Sequence, residues 1–202
     1  MKKYLILAVI AAILFLKRGL ILATVIKEIR EKYSQGFSRK NSDVTEFVIH
    51  GTGGGSSAKS LIRWMISGER AEEYKKGIAL FHYLIDRDGT VYNIIDPAKW
   101  VFHSGSGEHD IHTIGTELVN PTIGNIGSYT DIQYVNLAKL IFDMIKSFPG
   151  IKLITTHNYL QTKYSGFGKS CPGNIFNFDK LKLELSKLKI NTESTIAGLK
   201  IL

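Results

Sequence analysis

The stretch ALFHYLIDRDGTVYNIID, residues 79–96, contains two runs of apolar and β-branched residues on either side of Asp86-Arg87-Asp88-Gly89. Turn residues between two such runs predict a β-hairpin. This hairpin distinguishes between two possible fold classes. A strand that ends at Asp86 resembles the strand that carries the magnesium-binding aspartate of a nucleotide-binding protein. In that class a crossover helix follows the strand, whereas here the chain turns straight back.

The segment VIHGTGGGSSAKS, residues 48–60, raises the same alternative, since a strand, a glycine-rich turn and a helical segment follow one another. A phosphate-binding loop needs glycine before its lysine, and this chain has Ala58 before Lys59. The nucleotide-binding alternative predicts that ATP raises the thermal stability and that Lys59→Ala abolishes the effect. His50, which such a loop does not use, favours a different site.

Strand and helix patterns alternate through residues 44–190, which we predict to be one α/β domain with a mixed central β-sheet flanked by helices. Outside the hairpin, the predicted strands are 44–50, 113–119 and 152–156, and the predicted helices are 58–68, 131–148 and 179–189. The longest helix is expected to bury a stripe made of Ile132, Val135, Ala138, Ile141 and Ile145. Residues 158–168 are expected to form a loop, and residues 191–202 a flexible tail.

The first residues differ from the rest of the chain. Residues 4–16 are apolar or aromatic, Lys17-Arg18-Gly19 interrupts them, and an apolar run resumes to residue 26. Residues 1–26 therefore read as a membrane anchor or as a signal segment, with the orientation left open by basic residues on both sides. Residues 27–43 are expected to form a stalk or linker. We accordingly expect a membrane-associated or cell-envelope protein, with secretion as the alternative.

The 202 residues carry a formal net charge of +8, which predicts attraction to anionic polymers or surfaces. No recognised nucleic-acid motif interleaves the basic residues with aromatic ones, so no nucleic-acid partner is expected. An anionic bacterial wall polymer would account for attraction to the net positive charge as well as a nucleic acid would. Cys171 is the single cysteine and excludes a disulfide within the chain.

Two histidines stand at the ends of predicted strands, His50 after EFVI and His157 after LITT, and Cys171 lies in the glycine-rich loop GFGKSCPGN. Each residue alone fits a structural role. Three nitrogen or sulfur ligands with one open position are typical of a catalytic zinc site. The 14-residue separation of His157 and Cys171 matches no short ligand motif, so spacing alone leaves both interpretations open.

Four blocks occur in order, FVIHGT, FHYLIDRDGTVYNIIDPAKWVFHSG, TIGTELVN and TTHN followed by GKSCPG. Together they resemble the zinc-dependent N-acetylmuramoyl-L-alanine amidases, the superfamily that includes peptidoglycan recognition proteins. The resemblance covers residues 44–178. It implies a zinc-binding groove and hydrolysis of the amide between N-acetylmuramic acid and L-alanine in peptidoglycan or muropeptides. We also expect a monomer. Because some relatives lose the metal, a non-catalytic peptidoglycan-binding protein is the alternative.

The same resemblance implies individual roles. His50, His157 and Cys171 stand where the family has its zinc ligands, the third being cysteine or aspartate. Lys169 matches the lysine that stabilises the developing oxyanion. Glu117, in TIGTELVN, occupies the acidic catalytic position.

Two further positions complete this comparison. Some phage members place a catalytic tyrosine in the hairpin strand, where this chain has Phe81, which favours Glu117 as the proton-transferring residue. His103 matches a histidine that lines the substrate groove.

Overall fold

The computed structural model describes residues 36–67, 81–164, 171–188 and 200–201. Residues 1–26, predicted to be an anchor or signal, lie outside these ranges, as does Lys169. No helix within the described ranges is long and apolar enough to cross a bilayer.

A six-stranded mixed sheet forms the centre of the domain. Its strands are β2 Glu46–Gly51, β3 Tyr83–Ile85, β4 Val91–Asn93, β6 Thr113–Leu118, β7 Leu153–Thr156 and β8 Lys200–Ile201, and their spatial order is β4-β3-β6-β2-β7-β8. Every neighbouring pair is parallel except β3 and β4. The carboxyl ends of β2, β6 and β7 therefore lie at one edge, where α/β sheets present ligand sites.

Helices cover both faces of this sheet. They are α1 Ala58–Ser67, α2 Gly107–Asp110, α3 Asp131–Ser147, α4 His157–Tyr164 and α5 Phe178–Lys187. Leu137 and Ile141 of α3 and Leu181 of α5 are buried with Phe47 and Ile49 of β2 in one hydrophobic cluster. A second cluster joins α1 to the other face through residues that include Ala58, Ile62, Met65 and Leu84. The expected α/β class with a mixed sheet flanked by helices is confirmed.

The hairpin forms as predicted. Tyr83–Ile85 pairs antiparallel with Val91–Asn93, and the Gly89 amide donates to the Asp86 carbonyl to close the turn. Gly89 has φ of +86°, which glycine adopts without steric cost. Strand β3 also pairs in parallel with β6, so the hairpin forms one edge of the larger sheet.

The buried face of α3 differs in part from the prediction. Ala138, Ile141 and Ile145 are buried as expected, but Val135 is only half-buried and Ile132 is 41% exposed. Its side chain lies beside the hairpin turn, where it would meet a Cβ atom built on Gly89. Thr130 caps the helix, because its hydroxyl accepts from the Gln133 amide.

The expected loop over residues 158–168 is wrong for residues 158–164. Helix α4 begins at His157, directly after β7, and continues to Tyr164. Buried Leu160 anchors the helix on the domain. Residues 165–170 lie outside the described ranges.

The last residues of the segment expected to be a linker contact the domain. Strand β1 Phe37–Ser38 pairs antiparallel with β5 Lys99–Trp100. The Arg39 guanidinium donates to the carbonyl oxygens of Ile111 and Thr113 at 2.9 and 2.7 Å. At the other end, Lys200–Ile201, within the segment expected to be a flexible tail, forms strand β8 beside β7.

Candidate metal centre

Three side chains converge at the carboxyl edge of the sheet. His50 is the fifth residue of β2, and His157 follows the last residue of the neighbouring strand β7. Cys171 begins the next described segment and is joined to Pro172 by a cis peptide bond. One ligand atom from each of the three residues lies within 4.8 Å of the others. The structure therefore brings together the three residues that the sequence singled out as zinc ligands.

The Cys171 sulfur is held by backbone groups. The Gly51 amide donates to Sγ at 3.2 Å, and Nδ1 of His50 lies 3.9 Å from the same sulfur. The Asn158 amide donates to the Cys171 carbonyl at 2.9 Å. An amide donor directed at sulfur stabilises the thiolate, which is the form that binds metal.

The glycine-rich loop after β2 is closed by protein groups. The Gly53 amide donates to Oδ1 of Asn125 at 2.7 Å, and the Gly54 amide donates to the Asn120 carbonyl at 3.0 Å. A phosphate-binding loop leaves such amides directed at its ligand. These two are already used, which argues against the nucleotide-binding alternative.

Asn125 and Tyr129 support the site although the sequence did not single them out. Asn125 also donates through Nδ2 to the Gly51 carbonyl, and the Tyr129 hydroxyl donates to the Pro172 carbonyl at 2.6 Å. A Cβ atom on Gly51 would lie 2.1 Å from that hydroxyl. The sequence offered one indication of a special backbone position, an asparagine between Gly124 and Gly127. Asparagine tolerates a positive φ, and Asn125 adopts a φ of +58° here.

Glu117 lies beside His50. The two residues are register partners on the parallel strands β6 and β2. The residue is half-buried, but its Oε2 atom has no solvent contact and no hydrogen-bond partner among the described residues. Burial raises the pKa of Glu117 to about 8, which gives this carboxyl group a proton affinity suited to proton transfer near neutral pH.

His103 is buried behind His50. Its Nδ1 atom lies 3.0 Å from Nε2 of His50, and its Nε2 atom lies 2.7 Å from the Thr113 hydroxyl. Burial lowers the pKa of His103 well below the ordinary histidine value, and positive charge on His50 lowers it further. Both ring nitrogens thus contact protein groups. Phe81 is buried in the cluster beneath α1 and carries no hydroxyl group to the site.

A sequence profile of the N-acetylmuramoyl-L-alanine amidase family, Amidase_2, matches residues 40–174. The chain belongs to this family. The matched segment of the amidase begins just after Arg39 and ends just after Gly173, so it contains every residue of the candidate metal centre described above. A search of curated proteins found no match.

Solved structures of similar fold include three relatives of this amidase. The N-acetylmuramoyl-L-alanine amidase LysC from Clostridium intestinale URNW is 19% identical with a TM-score of 0.56, over 72% of this chain and 87% of that one. The Ph2119 endolysin from the Thermus scotoductus MAT2119 bacteriophage is 16% identical with a TM-score of 0.57, over 75% and 90%. A selenomethionine derivative of AmpD is 23% identical with a TM-score of 0.58, over 76% and 92%. These likenesses confirm the fold.

Proposed function

We propose that this protein is a zinc-dependent hydrolase that cleaves the amide between N-acetylmuramic acid and L-alanine in peptidoglycan or its fragments. The observation that carries the proposal is the convergence of His50, His157 and Cys171 within 4.8 Å, in a chain of the amidase family. These residues come from three separate segments, and a purely structural role for each does not explain why they meet.

The donor set fits zinc. Two imidazole nitrogens and one sulfur are ligands that zinc prefers, and three protein ligands are the number found in catalytic rather than structural sites. His50 and His157 are buried, at 2% and 8% exposure, and Cys171 is partly buried. The amide of Gly51 offsets negative charge on the sulfur.

When bound, zinc supplies Lewis acidity, which lowers the pKa of water toward about 7 and polarises an amide carbonyl. Glu117 then acts as the proton-transferring group, taking a proton from the attacking water and giving it to the leaving nitrogen. Its register pairing with His50 in the sheet supports this role. We assign Lys169 the stabilisation of negative charge on the carbonyl oxygen, a role that follows from the family pattern.

The partner that we propose is peptidoglycan or a muropeptide, bound by a monomer. A net charge of +8 favours an anionic wall polymer over a neutral one. We place the protein in the cell envelope, with residues 4–26 as its membrane attachment. Fractionation of cells that express the full chain tests this placement. Recovery in the membrane fraction after a high-salt wash supports an apolar attachment, and recovery in the soluble fraction contradicts it.

Digestion of purified muropeptides tests the activity. The zinc-loaded protein is expected to release peptides that begin with L-alanine, and a chelator is expected to abolish the release until zinc is restored. A protein that binds muropeptides but releases no peptide in zinc-replete buffer would instead be a non-catalytic peptidoglycan-binding protein. Hydrolysis that persists after the metal has been removed would contradict zinc dependence.

A further inference from the structure

The two ring nitrogens of His50 face different partners. Nδ1 lies 3.9 Å from the Cys171 sulfur, and Nε2 lies 3.0 Å from Nδ1 of His103. The nitrogen directed toward the sulfur is the one available to a metal, so its lone pair must be free of a proton. In a neutral ring Nε2 then carries the proton and donates it to His103.

The same pattern continues beyond His50. Because Nδ1 of His103 accepts, a neutral His103 ring carries its proton on Nε2, which lies 2.7 Å from the Thr113 hydroxyl oxygen. That hydroxyl in turn donates to the Asp110 carbonyl at 3.2 Å. Each link has one donor and one acceptor, so a single assignment of protons, made from these contacts, satisfies the whole series.

Asp110 holds the backbone that carries the His103 ring. Its fully buried carboxylate accepts from the Ser104 amide at 2.9 Å and from the His103 amide at 3.3 Å. Its Oδ1 atom lies 3.6 Å from Nε2 of His103. These contacts fix the backbone at His103, and the ring itself is held by its contacts with His50 and Thr113.

Gly115 gives the ring its place on the sheet. A Cβ atom on this residue would lie 2.7 Å from Nδ1 and 2.8 Å from Cγ of His103. Such contacts are too short for a side chain, so the ring rests directly on the backbone of β6. A glycine inside a strand weakens it, and close approach of another group is a usual reason for its presence.

We propose that His103 is a positioning residue that accepts a hydrogen bond from His50 and, through Thr113 and Asp110, fixes the orientation and the protonated nitrogen of this metal ligand. This role replaces the groove-lining role that the family resemblance implies. The His103 side chain is 2% exposed, and its two ring nitrogens face His50 and Thr113. The inference rests on the proposed zinc site but concerns residues that do not touch the metal.

Zinc affinity measured without substrate tests the inference, by competition of the full-length protein with a chromophoric chelator. His103→Leu keeps much of the volume and removes the acceptor, and it is expected to weaken zinc binding about 10- to 100-fold. His103→Asn places a side-chain oxygen near the position of Nδ1 and is expected to recover most of the loss. A groove-lining histidine predicts the opposite, with KM raised and zinc affinity unchanged.

Two other variants probe the same series without altering His103. Gly115→Ala displaces the ring sterically and is expected to weaken zinc binding in the same direction. Thr113→Val removes the hydroxyl group and keeps the shape of the side chain, and it is expected to weaken zinc binding less than His103→Leu does. In a protein that already carries His103→Leu, adding Thr113→Val should not change the zinc affinity further, because both residues act through one series of hydrogen bonds. The visible spectrum of the cobalt-substituted protein should shift in each variant that moves His50.

The outcomes separate this inference from the proposed function. A wild-type protein that binds no zinc overturns both. If the wild type binds zinc and a folded His103→Leu variant binds it equally well, only the positioning role is overturned. If His103→Leu fails to fold, the decision rests on Thr113→Val and Gly115→Ala, and unchanged zinc affinity in both variants overturns the role.

Discussion

His50 on β2 and Glu117 on β6 are register partners in adjacent parallel strands. Partners in a parallel pair project from the same face of a sheet, so a proposed metal ligand and a carboxyl group from residues 67 positions apart in the sequence become neighbours. The position of Glu117 within the sequence TIGTE therefore determines the face on which its side chain lies. A shift of the β6 register by one residue would move the Glu117 side chain to the opposite face of the sheet.

Glu117→Gln tests proton transfer. The amide keeps the size of the carboxyl group but cannot accept the proton of water, so kcat is expected to fall by about 10²- to 10⁴-fold. Zinc content and thermal stability should stay close to those of the wild type. The measurement is muropeptide hydrolysis with zinc analysis of the same preparations. Undiminished turnover in Glu117→Gln would assign proton transfer to another group.

Cys171→Ser tests the third ligand. An alcohol replaces the thiolate, so the zinc content after dialysis is expected to drop well below one ion per chain. Cys171→Asp is the matched control, because the family pattern accepts aspartate at this position, and it should retain metal. The measurement is elemental analysis of both variants beside the wild type. Equal zinc in Cys171→Ser and wild type would remove Cys171 from the ligand set.

Gly173→Ala tests the close packing of the backbone after Cys171 against Asn125. Gly173 has φ of +100°, and a Cβ atom would lie 2.2 Å from the Asn125 carbonyl oxygen. The combined strain and overlap are expected to lower the free energy of unfolding by roughly 2 to 5 kcal/mol and to weaken zinc binding. The measurement is urea unfolding of the metal-free protein together with zinc titration.

Gly124→Ala is the control for this effect. Gly124 also has a positive φ, +74°, but a Cβ atom there meets nothing within 4 Å. The positive φ alone is expected to lower the free energy of unfolding by about 1 kcal/mol, and zinc affinity should not change. Equal destabilisation in the two variants would show that the contact with Asn125 is unimportant.

His82 makes stability sensitive to acid. The ring is fully buried, Nε2–H donates to the Lys99 carbonyl at 2.9 Å, and Nδ1 accepts from the Gly115 amide at 3.0 Å. Burial, with a smaller contribution from the positive charge of Arg39, lowers the pKa of His82 from 6.5 to about 3. Above pH 6.5 the ring is neutral in both the folded and the unfolded chain.

As the pH falls from 6.5 toward 3, His82 binds a proton in the unfolded chain but stays neutral in the folded chain. The contribution of this group to stability then falls by about 1.4 kcal/mol per pH unit. Asparagine keeps an acceptor for the Gly115 amide and does not titrate, so the difference between wild type and His82→Asn isolates this effect. Urea unfolding of both metal-free proteins across the window provides the measurement. Parallel pH profiles would refute the assignment.

Elements defined by local interactions were predictable. The hairpin follows from turn residues between two β-rich runs, because such a turn depends on contacts a few residues apart. The buried face of α3 was predicted less well. Ile132 fits the helical period, yet it faces the Gly89 turn, and the position of that turn depends on how the whole sheet assembles.

Residue chemistry also marked most of the site. Histidines at strand ends and a cysteine in a glycine-rich loop are residue types and positions that indicate metal ligands. Asn125 and Tyr129 carry no such signal, because they act on backbone atoms of distant segments, Gly51 and Pro172. The glycines around Asn125 indicate a turn but not its distant partners, since any polar side chain of suitable length can make such contacts.

The sequence by itself determined most of the strands and helices, the candidate ligand types and the family. Only the tertiary structure decided that His50 and Cys171, 121 residues apart, meet, and that His103 lies behind the first of them. The physical reason is that periodicity and turn chemistry act over a few residues, whereas a metal centre needs particular atoms within a few ångströms. Strand register and loop closure alone bring those atoms together.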